Sequence, residues 1–279
     1  AREDKDLLGE GTLWSARDNA LYWVDILGPA LNRLSLSDMR VSRWLMPEPL
    51  GWIAEQKEGG PFIAGFQSGF AKLSIDPVSI SPLADPEPHY PGNRMNDGKA
   101  DARGCIWAGT MDMTERAASG SLYRLNPDHS WDVMDGGYSV PNGPAFSLDG
   151  TVVYHADTAH RTIYRFRYDG VELTDKQPFI QFTEADGYPD GMTTDSEGAL
   201  WVAHWGGGRI SRFDPDGKWM RSIVLPASQI TNIAFAGANC ERMFVSSAAI
   251  GIVGEHNAGD IFEVEPGVRG RAPYLFGRP

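Results

Sequence analysis

The chain has 279 residues, of which 42% are hydrophobic and 22% charged, a composition that is typical of globular proteins and excludes a disordered or collagen-like one. Asp and Glu outnumber Lys and Arg by 37 to 25, and the resulting net charge of −12 argues against a nucleic-acid partner. No run of 18 apolar residues is present, which argues against a membrane partner. The 32 glycines and 19 prolines favour many short strands joined by turns.

A turn followed by an aromatic or aliphatic strand recurs six times along the chain. The equivalent central residues of these strands, spaced 40 to 47 residues apart, are Trp23, Ile63, Trp107, Tyr154, Trp201 and Phe244. A third strand follows each copy, and a fourth apolar run usually comes next. This repeat predicts an all-β fold, a six-bladed β-propeller with four antiparallel strands per blade, in a single domain over residues 1–279.

The first strand of each blade lines the central channel of a propeller, so equivalent first-strand residues converge on one axis. Eleven to thirteen residues before the central positions, these axial residues are Glu10, Gly51, Asn96, Asn142, Asp190 and Asn232. Two acids facing each other across a narrow channel repel unless a cation lies between them. Their oxygens suit one divalent ion, Ca²⁺, Mg²⁺ or Mn²⁺, with Zn²⁺ or Fe²⁺ also compatible. The alternative is that Asn and Asp are ordinary turn residues in a wet, polar channel.

Six short sequence motifs occur in a fixed order along nearly the whole chain, and their combination is more specific than any one of them. They are LGEGTLW (8–14), RMNDGKAD (94–101), AGTM (108–111), NG (142–143), PDGMTTDSEGALWVA (189–203) and GGRISRFDPDG (207–217). This combination resembles the senescence-marker-protein/gluconolactonase family, and within it the bacterial aldonolactonases. The resemblance implies that Glu10, Asn142 and Asp190 are metal ligands, and that Arg94 and Asn96 hold substrate hydroxyls.

The loop after AGTM is where the sequence departs from the family pattern. The family has an acid there, whereas the matching position is Thr114, flanked by Asp112 and Glu115, and both acids are candidates for contacting the substrate. Trp52 follows the axial residue Gly51 and is a further candidate for a pocket wall. The six histidines show no metal-binding spacing, and His155 and His204 are expected to pack within second strands.

The leading hypothesis is a carboxylic-ester hydrolase that converts an aldono-1,4- or 1,5-lactone to the aldonic acid. Asp190 acts as metal ligand and general base towards water, while Glu10 and Asn142 complete the metal site. Two alternatives stay open: a phosphotriester or aryl-ester hydrolase that uses the same site, and a non-catalytic calcium-binding propeller. The first alternative is disfavoured because Arg94 and Asn96 suit a polyol.

Other properties are only weakly constrained by the sequence. The two cysteines, 135 residues apart, cannot form a framework of several disulfides and favour a cytoplasmic location. No heptad pattern or apolar stripe indicates strong self-association, so a monomer or weak homo-oligomer is expected. The sequence begins at Ala1, which leaves open whether a leader was removed. The expected partner is a small-molecule sugar lactone.

Overall fold

The structure, a computed structural model, describes residues 5–278, and these form 23 strands in six antiparallel sheets. Each sheet is built from consecutive strands, so the chain completes one blade before it begins the next. The prediction of a six-bladed β-propeller is confirmed. Five sheets have four strands, and the sixth has three within the described residues.

The strands follow one another from the axis outwards in every blade. Blade 1 contains β1 (Gly9–Ser15), β2 (Ala20–Asp25), β3 (Ala30–Ser35) and β4 (Val41–Leu45), and blade 2 contains β5 (Leu50–Ala54), β6 (Phe62–Phe66), β7 (Gly69–Ile75) and β8 (Val78–Ala84). Blade 3 contains β9 (Asn93–Ala100), β10 (Ile106–Asp112), β11 (Gly120–Leu125) and β12 (Trp131–Tyr138), and blade 4 contains β13 (Pro141–Phe146), β14 (Val152–Asp157), β15 (Thr162–Tyr168) and β16 (Leu173–Gln181). Blade 5 contains β17 (Tyr188–Thr194), β18 (Leu200–Trp205), β19 (Arg209–Phe213) and β20 (Trp219–Val224), and blade 6 contains β21 (Ile230–Ala236), β22 (Arg242–Ser247) and β23 (Ile261–Val264). Two single-turn 3₁₀ helices, Thr158–His160 and Glu184–Asp186, lie beside blades 4 and 5.

The apolar core lies between neighbouring blades. The six equivalent second-strand residues predicted from the repeat, Trp23, Ile63, Trp107, Tyr154, Trp201 and Phe244, are all buried. Trp23 and Phe244 belong to one cluster that joins blade 1 to blade 6, and Trp201 belongs to another that joins blades 5 and 6. Because burying one such side chain contributes roughly 1.5–3 kcal/mol, these clusters hold the blades at fixed positions around the axis.

Every first strand is irregular at or beside its axial residue. The pairing with the second strand shifts register between Glu10 and Leu13 in β1, between Asn142 and Ala145 in β13, and between Pro189 and Met192 in β17. The equivalent shifts occur in β5, β9 and β21. A β-bulge breaks the strict alternation of side chains, so consecutive residues can both face the channel.

The last described residues lie against one face of the ring, which is called the lower end of the channel below. Residues 271–274 line a cavity of about 100 Å³, together with first-strand residues from all six blades. Phe276 is buried, pairs with Gln56 of blade 2 and packs in the cluster between blades 2 and 3. Residues 271–274 and Phe276 therefore cover part of this lower end of the channel. Residues 5–278 include no helix with the length and apolar character needed to cross a bilayer.

His155, in β14, is a buried histidine that packs against the ring of Tyr138 at a centroid distance of 4.7 Å. Neither ring nitrogen has a hydrogen-bond partner among the described residues. Burial lowers the pKa of His155 to about 3; the negative charge of Asp135 opposes this shift and the positive charge of Lys176 adds to it. The imidazole is therefore neutral at physiological pH.

We expect this histidine to make the fold sensitive to acid. The unfolded chain protonates His155 near pH 6.5, whereas the folded protein does so only near pH 3. Stability is therefore fully present above pH 6.5 and falls by up to about 1.4 kcal/mol per pH unit as the pH drops towards 3. The variant His155→Leu should lack this contribution, so its urea-unfolding free energy should fall less steeply than that of the wild type. Parallel pH profiles for the two proteins would contradict the assignment.

Candidate functional site

The six axial residues meet at the open end of the channel. The virtual Cβ of Gly51 lies 2.4 Å from the carbonyl oxygen of Asn96, and Asn96 Nδ2 donates to Asn142 Oδ1 at 3.1 Å. On the other side of the axis, Asn232 Nδ2 donates to Glu10 Oε2 at 2.9 Å. A cavity of about 410 Å³ opens above them, and it is lined by Leu8, Glu10, Arg94, Asn96, Met111, Glu115, Val140, Asn142, Thr158, Ala159, Tyr188, Asp190 and Trp205.

Glu10 comes from blade 1 and Asp190 from blade 5, and both line the same cavity, where each carboxyl group affects the pKa of the other. Both residues are buried. Burial raises the pKa of Glu10 to about 7, with a further contribution from the negative charge of Asp97. Burial and the charge of Glu10 raise the pKa of Asp190 well above its usual value. Two carboxylates in this position are favourable only when a cation or a shared proton neutralises them.

Asp97 is a buried acid beside the site that the sequence reasoning did not single out. It follows the axial Asn96 in β9, and the bulge lets its side chain also point to the axis. Its oxygens accept hydrogen bonds from the backbone amides of Gly98 at 2.8 Å and Gly143 at 3.1 Å. Burial raises the pKa of Asp97. The only signal in the sequence was a second acid directly after the axial position.

Two basic groups, the half-buried Lys99 and the buried Arg94, lie near these acids. Lys99 lies below the site, where its ammonium donates to the carbonyl oxygen of Met192, and desolvation lowers its pKa against the opposing effects of Asp97 and Glu10. Arg94 lines the upper cavity, and burial lowers its pKa to about 10. Three buried carboxylates, Glu10, Asp97 and Asp190, thus face two basic groups. The balance leaves a net negative charge when all five are ionised.

A directional series of hydrogen bonds crosses blades 3, 4 and 5 along the wall of the cavity. Arg94 Nη1 donates to Asn96 Oδ1 at 2.7 Å, and Asn96 Nδ2 donates to Asn142 Oδ1. Asn142 Nδ2 donates to Thr158 Oγ1 at 2.8 Å, and that hydroxyl donates to the carbonyl oxygen of Pro189 at 2.6 Å. Because guanidinium groups only donate and carbonyl groups only accept, both ends fix the direction of the series.

The loop after β10 brings one of its two acids to the cavity and keeps the other away. Asp112 is half-buried and accepts hydrogen bonds from Thr114 and from the backbone amides of Arg116 and Ala117, which lowers its pKa to about 2. It is absent from the cavity wall, whereas Glu115 lines it. Glu115 has φ of 56°, and this left-handed conformation directs the loop back over the cavity. Asp112 therefore organises the loop that presents Glu115.

Trp52 lies away from the cavity. It is fully buried in the cluster between blades 2 and 3, and its ring lies 2.3 and 2.7 Å from the virtual Cβ positions of Gly65 and Gly98. It therefore has no exposed surface to offer a ligand, and we leave it out of the proposed site. The preceding axial position, Gly51, can only be glycine, because any side chain there would collide with the backbone of blade 3.

The donor set fits a hard divalent cation. Glu10 and Asp190 supply carboxylate oxygens, and Asn142 supplies an amide oxygen because its nitrogen is held by Thr158. Oxygen donors of this kind suit Ca²⁺, Mg²⁺ or Mn²⁺. Residues 5–278 contain no cluster of three or more His, Cys, Asp and Glu side chains arranged to hold a metal ion. The set proposed here has two carboxylates, and its third member is the amide of Asn142.

Comparison with known proteins identifies the family of the chain. The sequence profile described as SMP-30/Gluconolactonase/LRE-like region matches residues 8–249. The chain is 36% identical to 6-deoxy-6-sulfogluconolactonase of Pseudomonas putida over 278 residues, which cover 97% of this chain and 95% of that protein. It is 32% identical to L-arabinolactonase of Azospirillum brasilense, with coverage of 98% and 93%.

Solved structures show the same likeness over the whole ring. A calcium-binding protein described as regucalcin, from Agrobacterium tumefaciens, superposes with a TM-score of 0.93 at 29% identity and covers 99% of this chain and 95% of its own. A profile match over most of the chain, together with relatives above 30% identity along nearly its full length, establishes the relationship. The chain belongs to the SMP-30/gluconolactonase/LRE-like family.

Proposed function

We propose that this protein hydrolyses a sugar lactone, an aldono-1,4- or 1,5-lactone, to the open-chain aldonic acid, in a reaction that depends on one divalent metal ion. The observation that carries the proposal is the meeting of Glu10, Asn142 and Asp190 with Arg94 and Asn96 in one cavity. Two relatives are named for the lactones they act on, which supports the substrate class. The regucalcin structure is described as that of a calcium-binding protein, which supports a divalent ion.

Glu10, Asn142 and Asp190 would hold the ion. When bound, a divalent cation supplies Lewis-acid polarisation of the lactone carbonyl oxygen. It also explains why two acids with raised pKa values line one cavity, because a cation lets both be ionised. The half-buried Lys99 below them compensates part of the remaining negative charge.

Asp190 would act as the general base. Hydrolysis requires a water oxygen to add to the carbonyl carbon and the bond between that carbon and the ring oxygen to break. Asp190 takes the proton from the attacking water and returns it to the departing ring oxygen, so the proton balance closes within the site. A positioned general base of this kind contributes about 10²–10⁴-fold to the rate.

Arg94, Asn96 and Glu115 would orient the polyol. Arg94 presents hydrogen-bond donors along the cavity wall, and Glu115 presents an acceptor from the loop above. Asn96 presents its amide oxygen, because both hydrogens of its Nδ2 are used on Pro141 and Asn142. Sugar hydroxyls both donate and accept, so this mixed set suits them better than it suits an apolar ester.

We also propose a cytoplasmic location, since Cys105 and Cys240 are both buried and free of a disulfide.

Proton release from a panel of γ- and δ-aldonolactones, beside one phosphotriester and one aryl ester, tests the function. We expect acid from the sugar lactones alone, lost with a chelator and restored by one divalent metal. Turnover of the phosphotriester or aryl ester in preference to every lactone would contradict the substrate class. Metal binding with no turnover of any compound would favour a non-catalytic calcium-binding propeller.

A further inference from the structure

Thr158 is a half-buried residue that lines the cavity of the site, and it has no role in the chemistry described above. It begins the single-turn helix Thr158–His160 that follows β14, so it reaches the cavity from a second-strand connection rather than from an axial position. Its hydroxyl lies between two ligand-bearing strands. It accepts from Asn142 of β13 and donates to the carbonyl of Pro189 in β17, directly before Asp190.

The hydroxyl can make this pair of contacts in one direction only. A carbonyl oxygen only accepts, so the single hydroxyl proton of Thr158 is used on Pro189. The threonine oxygen then has only lone pairs left, and the group it meets on Asn142 must be the NH₂. The amide oxygen of Asn142 is thereby turned away from Thr158, and it accepts from Asn96 Nδ2 in the cavity that Glu10 and Asp190 also line. A flipped amide would present NH₂ there, and an NH₂ group cannot bind a cation.

We propose that Thr158 is a positioning residue for the metal site, which together with Asn96 holds the Asn142 amide with its oxygen directed to the ion. This inference rests on the proposed function only through the assignment of Asn142 as a ligand. Partners of this kind typically affect metal affinity by about 10- to 100-fold, because they fix the orientation of the ligating group.

The variant Thr158→Val removes the hydroxyl and keeps the side-chain shape. We expect the Kd of the metal-free protein for Mn²⁺ or Ca²⁺, measured by calorimetry, to rise about 10- to 100-fold. Thr158→Ser keeps the hydroxyl and should bind close to the wild type. If Thr158→Val does not fold, Thr158→Ala and the serine variant provide the same comparison. An unchanged Kd in a folded variant that lacks the hydroxyl would overturn the proposal.

A matched control is present in the same two strands. Thr194 in β17 donates its hydroxyl to the carbonyl of Phe146 in β13 at 2.8 Å, but four residues beyond Asp190, or roughly 13 Å along the strand. Thr194→Val should lower the melting temperature and leave the metal Kd unchanged. If Thr194→Val weakened metal binding as much as Thr158→Val, Thr158 would be acting through general strand pairing, and the proposal would be wrong.

A double-mutant cycle with Asn142 separates orientation from other effects. In the Asn142→Ala background no amide remains to be oriented, so adding Thr158→Val should change the metal Kd no further. Equal fold-changes in both backgrounds would overturn the proposal. A wild-type protein that bound no divalent ion would instead refute the proposed metal dependence, which keeps the two failures distinct.

Discussion

Asp190→Asn is expected to lower kcat for lactone hydrolysis by about 10²–10⁴-fold, because the amide keeps the shape of the side chain but cannot accept the proton of the attacking water. The same change removes one of two anionic ligands, so the metal Kd should rise as well. Steady-state kinetics at saturating metal, together with calorimetric titration, separate the two effects. Loss of activity that excess metal restored fully would show that Asp190 is a ligand and not the base.

Asp97→Asn is the matched control for this experiment. Asp97 is a buried carboxylate beside the same charges, but it lines the lower cavity and its oxygens are occupied by backbone amides. We expect this variant to retain much more of kcat than Asp190→Asn. Arg94→Ala, which removes a group proposed to hold the substrate, should mainly raise KM. Equal losses of kcat for Asp97→Asn and Asp190→Asn would mean that net charge, and not a positioned base, is what the reaction needs.

Asp195→Ala is expected to destabilise the fold by about 3–5 kcal/mol, because it leaves the buried Arg212 with only the exposed Glu197 as a charged partner and the indole of Trp201 without its acceptor. Asp195 is fully buried and accepts hydrogen bonds from the indole of Trp201 at 2.9 Å and from Arg212 Nε at 2.7 Å. It also accepts from the backbone amides of Glu197 and Ala199. Urea unfolding at neutral pH measures the loss.

The turn at Asp214 supplies the control for that measurement. Asp214 accepts from the backbone amides of Asp216 and Lys218 in a comparable turn, but these groups reach water when the carboxylate is removed. Asp214→Ala should therefore lower the unfolding free energy by about 1 kcal/mol. A similarly small effect for Asp195→Ala would contradict the view that this carboxylate is the central acceptor of blade 5.

Sequence periodicity predicted the blades and the axial register because both follow from repeated local patterns. Asp101 accepts a hydrogen bond from the indole of Trp107 in blade 3, six residues along the chain. Asp195 and Trp201 make the same contact at the same spacing in blade 5, so the repeat of the contact appears as a repeat in the sequence. Glu10, Asn142 and Asp190 share one register position, so a single alignment brought them together. Their assignment as ligands came from family resemblance and is a proposal.

The remaining site residues depend on features that have no local signature. Asp97 faces the axis because a bulge interrupts β9, whereas strict alternation after the axial Asn96 would place its side chain on the other face of the strand. Thr158 reaches Asn142 from a connection between strands, at a distance of 16 residues in the chain. The choice between Asp112 and Glu115 is made by a loop conformation with positive φ. Trp52 adjoins an axial residue in sequence, but its side chain packs between two blades.

Anomalous diffraction from crystals grown with Mn²⁺ tests the central claim most directly. The account predicts a single strong peak on the propeller axis, with oxygens of Glu10, Asn142 and Asp190 each within about 2.0–2.6 Å of it. It also predicts that the amide nitrogen of Asn142 points away from the peak, towards Thr158. A peak at another place, or an axis without one at saturating Mn²⁺, would contradict the proposed metal site and the chemistry derived from it.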